Sequence, residues 1–240
     1  MKDKEYWRIF HLIRGDVEAA IKSNHTYFTI NNLVLTDRDV SNKLNRFPEF
    51  WQFNAYSLQT TFFIAFGRLF DTRSDAHSVL KLVDATIANP HLFSKAALRM
   101  RRREQSDIHD PDPEWLEPSL SHEGEAASVN AAWEPTTIDL ATLKSALEPH
   151  RLKFKSIYRP IRHSFFAHRS MESDAEIFAR FQKTNIKEAE EILRFLHTLL
   201  WAIWEMAWNG RRLDITDSSD YEGWVKDMNA KTEKLIRQLP

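Results

Sequence analysis

Residues 6–21 read YWRIFHLIRGDVEAAI, and the spacing of the apolar side chains in this stretch decides the fold class. Tyr6, Phe10, Ile13, Val17 and Ile21 recur every three or four positions. That period puts all five on one face of an α-helix, whereas a half-buried strand would alternate with a period of two. The same helical period returns along nearly all of the chain.

Working outward, Thr36 followed by Asp39 predicts a short capped helix holding Val40 and Leu44. Pro48 suits the first turn of the next helix. Its expected buried stripe is Trp51, Ala55, Leu58, Phe62, Ala65 or Phe66, and Leu69. Ser74 is placed to cap a helix containing Val79, Leu82 and Val83. Asn89–Pro90 opens another that runs to the basic tract Arg99–Arg103. Residues 105–135 break the pattern: they hold Pro111, Pro113, Pro118 and Pro135, many acids and little periodicity, and read as an irregular acidic insertion. Trp115, Leu116 and Trp133 give that insertion apolar groups with which to dock. Helices resume at Thr136 or Thr137, with Leu140, Leu143, Leu147, Phe154, Ile157, Ile161 and Phe165 at helical spacing. Pro149 and Pro160 predict kinks there. A short helix at 175–181 follows. Asn185 and Glu188 then stand at capping-box spacing ahead of a helix ending at Trp208, with Asn209–Gly210 as its stop. A last helix is expected over about Tyr221–Leu239. With no alternating strand and no internal repeat, the chain reads as all-α, a single helical domain over residues 1–240.

The bulk composition narrows the function classes. At 240 residues, with 42% hydrophobic and 28% charged side chains, the chain is long enough for a substantial core and ordinary for a globular domain. It has no cysteine, which removes disulfides, zinc–thiolate sites and iron–sulfur clusters and fits a cytoplasmic setting. The opening MKDKEYWRIF is charged and does not resemble a secretory signal. The most apolar stretch, Leu196–Trp208, contains His197 and Glu205 and is shorter than the roughly 20 residues of a membrane span, so no membrane partner is expected. There is no His-Glu-x-x-His word and no carboxylate cluster, so neither a metal nor a cofactor is expected.

The net charge of −1 hides an uneven distribution. No Lys or Arg lies between Arg103 and Lys144, and no Asp or Glu lies between Glu148 and Glu172. The second stretch carries Arg151, Lys153, Lys155, Arg159, Arg162 and Arg169. Such a segment is either a nucleic-acid contact or a solvated basic face. The acidic insertion just upstream is either a passive solvated loop or a lid that competes electrostatically with a polyanion.

Inside the basic stretch stands Tyr158-Arg-Pro-Ile-Arg-His-Ser-Phe-Phe-Ala-His-Arg169. Arg162, polar His163, four further residues and His168 resemble the HEPN nuclease motif. The Ala-His-Arg ending, with Phe47-Pro-Glu-Phe-Trp51 and Gly67-Arg-Leu-Phe-Asp71 upstream, resembles the AbiU-type abortive-infection branch, over about residues 5–210. That resemblance implies a HEPN-like helical bundle with additional N- and C-terminal helices. It implies a metal-independent endoribonuclease, a toxin or phage-defence effector with RNA as substrate. A cognate antitoxin and a homodimer with facing motifs follow as its partners. Arg162, His168 and His163 would be catalytic; Arg159, Arg169, Arg151 and Lys155 would contact RNA. The alternative is a catalytically silent module that binds RNA, nucleotide or a protein.

The residue types suit that chemistry. Histidine exchanges protons near neutrality, and a guanidinium donates paired hydrogen bonds to phosphate oxygens. On an ideal helix, however, six residues place Arg162 and His168 roughly 120° apart. They converge only if the helix distorts, as Pro160 suggests, or if two copies meet at a two-fold axis. His163 is either an assisting group or an exposed helix histidine. Phe165 and Phe166 read as packing, and Arg68 with Asp71 as a local ion pair.

Overall fold

A computed structural model describes residues 1–104, 122–167 and 173–239. The described residues form helices and no strand. α1 (Asp3–Thr36) is a single helix of 34 residues, about 50 Å long at the usual rise. Its stripe of Tyr6, Phe10, Ile13, Val17 and Ile21 is buried throughout, as the spacing requires. α3 (Pro48–Leu69), α10 (Ile186–Trp204), α11 (Ser219–Arg237) and α4 (Val79–Ala88) pack around it. α7 (Thr137–Lys153) closes the bundle against α4. From α10 the core receives Ile192, Leu196, Leu199, Leu200 and Ile203. Trp204 is fully buried and stacks on Trp208 with ring centroids 5.0 Å apart, while Trp7 meets it edge-on at 5.8 Å.

One buried cation ties the start of α1 to the segment that follows α10. Arg101 of α5 (Lys95–Glu104) bonds to Asp3 at 2.9 Å and to the carbonyls of Leu92 and Ala207 at 2.8 and 2.9 Å. Its guanidinium also lies over the rings of Trp7 and Trp208. The Arg99–Arg103 tract is therefore not uniformly a surface feature.

Several local expectations are corrected. α2 (Arg38–Leu44) is capped by Asp37, whose carboxylate accepts from the Asp39 and Val40 amides, and not by Thr36. Thr36 instead donates to the Asn32 carbonyl, which keeps it inside α1. Ser74 is not the cap of α4, which begins after Ser78. The helix expected from Asn89 is divided into a short 3-10 turn, Pro90–Phe93, and α5, because Ser94 adopts an extended backbone and caps the second piece. Within the stretch read as irregular, α6 (His122–Ala131) is helical. Val129 and Ala132 join Leu98 in a small apolar cluster beside Gly210. Residues 105–121, with Trp115, Leu116 and most of the prolines, lie outside the described residues.

The bundle does not use the whole length of its longest helices. Past the main core, Leu33, Val40, Leu44 and Ile236 form a second small cluster, flanked by Trp51 and Leu239. The first half of α3 belongs to this arm. There Ala55 and Leu58 line a groove with Tyr27, Ile30 and Val34 of α1, while Phe47, Phe50, Phe53 and Tyr56 are exposed. The buried stripe expected along α3 is thus realised fully only from Phe62 onward.

Candidate active site

The basic stretch folds as a helix that twice opens its hydrogen-bonding pattern. α7 runs through Pro149 without a break and passes into a π turn at Phe154–Tyr158. A single α turn follows, α8 (Arg159–Ile161), and then a second π turn at Arg162–Ala167. Pro160 lies between the two wide turns. It has no N–H with which to continue an α ladder, so a widened turn beside it is chemically natural. The Ser156 hydroxyl donates to the Leu152 carbonyl at 3.0 Å, within the first wide turn. Tyr158 anchors the segment from below: its phenol, pushed up in pKa by burial, donates to the carbonyl of Asn185 at the start of α10.

Aromatic packing fixes the second wide turn on α3. Phe166 stacks on Phe63 at 4.4 Å and lies near Tyr56 at 6.4 Å. Phe181 of α9 (Asp174–Phe181) meets Phe166 edge-on at 6.1 Å. Phe166 is therefore packing, as its residue type suggested. Phe165 is exposed on one side and edge-on to Phe181 at 5.4 Å on the other.

Arg162 leaves this turn toward the C-terminal end of α3. Its side chain lies directly against Gly67: a Cβ at that position would come within 2.1 Å of both Cδ and Nε, and 2.9 Å of Cζ. The Nε is buried with no hydrogen-bond partner among the described residues. Close by is Asp71, just beyond the α3 terminus. Burial pushes its carboxyl up in pKa, but the Arg73 amide, the Arg73 guanidinium and the charge of Arg162 together hold it below the usual carboxylate range. Its oxygens accept from the Arg73 amide at 3.0 Å and the Arg73 Nε at 3.2 Å. The local Arg68–Asp71 ion pair expected from sequence does not form; Arg68 turns the other way and meets Asp16 of α1 at 3.4 Å.

The remaining predicted residues separate clearly. Lys155, Arg159 and His163 are exposed at four-residue intervals along the segment. Arg151 is engaged locally, its Nε and Nη2 on the Glu148 carboxylate at 2.7 and 2.5 Å. His168 and Arg169 lie outside the described residues. Other histidines are built into packing: His150 stacks on Phe195 at 4.0 Å, and His25 shares a 2.9 Å hydrogen bond with the Tyr221 hydroxyl. Among the described residues no three side chains of metal-binding type come together, and no helix is long and apolar enough to cross a membrane. Gly67 and Asp71 were not singled out as site residues in the sequence. The signal available was the word Gly67–Asp71 itself, which joins the helix end that Arg162 meets to a carboxylate just past it.

An all-α bundle that presents the arginine of an Arg-polar-x4-His word at a helix junction defines the class. The family model HEPN_AbiU2, described as AbiU2, matches residues 3–223. The chain belongs to this family, the AbiU-type abortive-infection branch of the HEPN superfamily. Comparison with curated proteins and with solved structures gave no match.

Proposed function

We propose that this protein is a metal-independent endoribonuclease, acting as a toxin or phage-defence effector under the restraint of a cognate antitoxin. The observation that carries the reading is the placement of Arg162: an arginine of the motif, pinned along its Nε edge by Gly67, on a segment that exposes Lys155, Arg159 and His163. In this reading the two Nη nitrogens are the groups that meet a phosphate. In the reaction, the ribose 2′-OH attacks the adjacent phosphorus, and the O2′–P bond forms as the P–O5′ bond breaks. One histidine, His168 or its counterpart in a second copy, takes the 2′ proton. The other gives a proton to the departing O5′. The Arg162 guanidinium stabilises the charge that builds on the phosphoryl oxygens. The products are a 2′,3′-cyclic phosphate and a 5′-hydroxyl, and DNA, without a 2′-OH, cannot react.

A second copy completes this reading. One Arg/His pair offers a polyanion few contacts, whereas two pairs across an axis form a basic cleft. The exposed aromatic face of α3, through Phe53 and Tyr56, leads into the Phe165–Phe166 turn, which supports it as the surface for that pairing.

Incubation with total RNA and tRNA in excess EDTA tests the chemistry. Cleavage persisting in EDTA, with cyclic-phosphate ends, is expected. Arg162→Ala and His168→Ala should each lower the rate by at least about a hundredfold with the far-UV circular dichroism unchanged. Activity lost to EDTA and restored by a divalent ion, or 3′-hydroxyl products, would refute the mechanism. RNA binding without any cleavage would leave the silent-module reading.

A further inference from the structure

We infer that Gly67 and Asp71, at the end of α3, are positioning residues for Arg162: Gly67 provides the recess in which its side chain lies, and Asp71 provides the countercharge that orients the guanidinium. This rests on the ribonuclease reading above for its consequence in catalysis, but its geometric part stands by itself.

The recess is explicit in the distances. Any side chain at position 67 would occupy space already held by Arg162 Cδ and Nε, at 2.1 Å from each. Separations under 3 Å between such atoms force one of them to move. The helix backbone at Gly67 is buried and packed, so Arg162 must give way. Gly67 therefore serves close approach and not backbone freedom, since it sits inside a regular helix. The Nε–H, buried with no acceptor among the described residues, is held by shape alone. Among the described residues no hydrogen bond or ion pair joins Asp71 to Arg162, so the carboxylate acts on the guanidinium by its charge at longer range. Asp71 stands four residues after Gly67, past the end of α3, and is itself fixed by two hydrogen bonds from Arg73. Arg68, the neighbouring cation, is drawn away by Asp16 and does not compete for that carboxylate. The arrangement leaves Arg162 preorganised before any RNA arrives, which is what transition-state stabilisation by a guanidinium requires.

The test is a pair of double-mutant cycles on the full-length protein, read in both cleavage kinetics and thermal midpoint. Gly67→Ala should lower kcat on the order of a hundredfold with KM little changed, the scale of losing one charge-stabilising donor. In the Arg162→Ala background the same substitution should be nearly silent. Asp71→Asn should lower kcat about tenfold or more, Asp71→Glu should recover part of it, and Asp71→Asn too should become silent once Arg162 is truncated. In thermal melts, Gly67→Ala should destabilise the wild type, and adding Arg162→Ala should restore the midpoint by relieving the clash. Equal kinetic effects in both backgrounds would reduce Gly67 and Asp71 to general structural residues and overturn the inference. Absence of cleavage by the wild-type protein would overturn the ribonuclease reading instead. The thermal cycle would then decide the geometry: a restored midpoint supports the recess, and simple additivity refutes it.

Discussion

His197 shows how a single buried side chain ties stability to pH. It sits on α10 where α11 packs, stacked on Trp224 with centroids 5.5 Å apart and edge-on to Tyr221 at 5.6 Å. Burial lowers its pKa from the ordinary 6.5 to about 4, against the opposing charge of Glu18 and with help from Arg14, while the Asp220 carboxylate, 3.6 Å from Nε2, favours the charged form. His25 and His150 are lowered in the same direction, burial being the first cause in each. The unfolded chain takes up a proton near pH 6.5 while the folded chain still refuses it. Stability is therefore complete above pH 6.5 and is lost as pH falls toward 4. For His197 the loss is on the order of 2–3 kcal/mol at the acid end. Urea unfolding at pH 7.5, 6.5, 5.5 and 4.5 measures it. His197→Phe, which keeps the stacking, should flatten the slope between pH 6.5 and 4.5. An unchanged slope would assign the acid loss to other groups.

At the scale of the element, the distorted helix at 154–167 matters more than its composition. An unbroken α-helix would carry Arg162 and His168 on faces roughly 120° apart. Two π turns flank α8, one ending before Arg162 and one beginning at it, and their common neighbour is Pro160. Pro160→Ala supplies the missing N–H and lets the segment return to regular winding. A change of one residue in register turns everything beyond it by about 100°, which would lift Arg162 off Gly67 and break the Phe63–Phe166 stack. We expect Pro160→Ala to cleave RNA at least about tenfold more slowly while its far-UV helical signal holds or rises. Full activity in this variant would show that the wide turns serve packing alone. Sequence inspection located the disturbance at Pro160 but not its form, because whether a helix kinks or widens depends on what it must pack against. Pro149, with the same chemistry, is passed without a break.

At the scale of the molecule, one surface stands out by its chemistry. Phe50 and Phe53 are 58% and 69% exposed on the arm side of α3, beside Phe47 and Tyr56. Exposed large aromatic side chains grouped on one helix are what an association surface would present. The wild-type protein should be a homodimer at micromolar concentration by light scattering. Phe50→Asp with Phe53→Asp should make it monomeric without lowering the thermal midpoint of the monomeric fold by more than about 1 kcal/mol equivalent, since neither ring contributes to the core. Loss of cleavage in that monomer would tie activity to the composite site. A wild-type monomer would refute the pairing, and a charged-variant dimer would move the interface elsewhere.

The apolar period in residues 6–21 and its recurrence determined the all-α class, and the stripe Tyr6–Ile21 is buried as that period demands. The words Arg162–Arg169 and Gly67–Asp71 carried the family, and Arg162 carried the candidate chemistry. Helix ends were less legible, because caps compete locally: Thr36 and Asp37 are adjacent, and only backbone geometry selects Asp37. What sequence alone left open is which residues meet. Arg68 and Asp71 stand at ion-pair spacing, yet each finds a different partner, because α1 brings Asp16 to one and the turn after α3 brings Arg73 to the other. Gly67 and Arg162 are 95 positions apart, and no local rule joins them. Their contact is decided by the packing of the 162–167 turn on α3, through Phe63 and Phe166, which is a property of the tertiary structure and of nothing shorter.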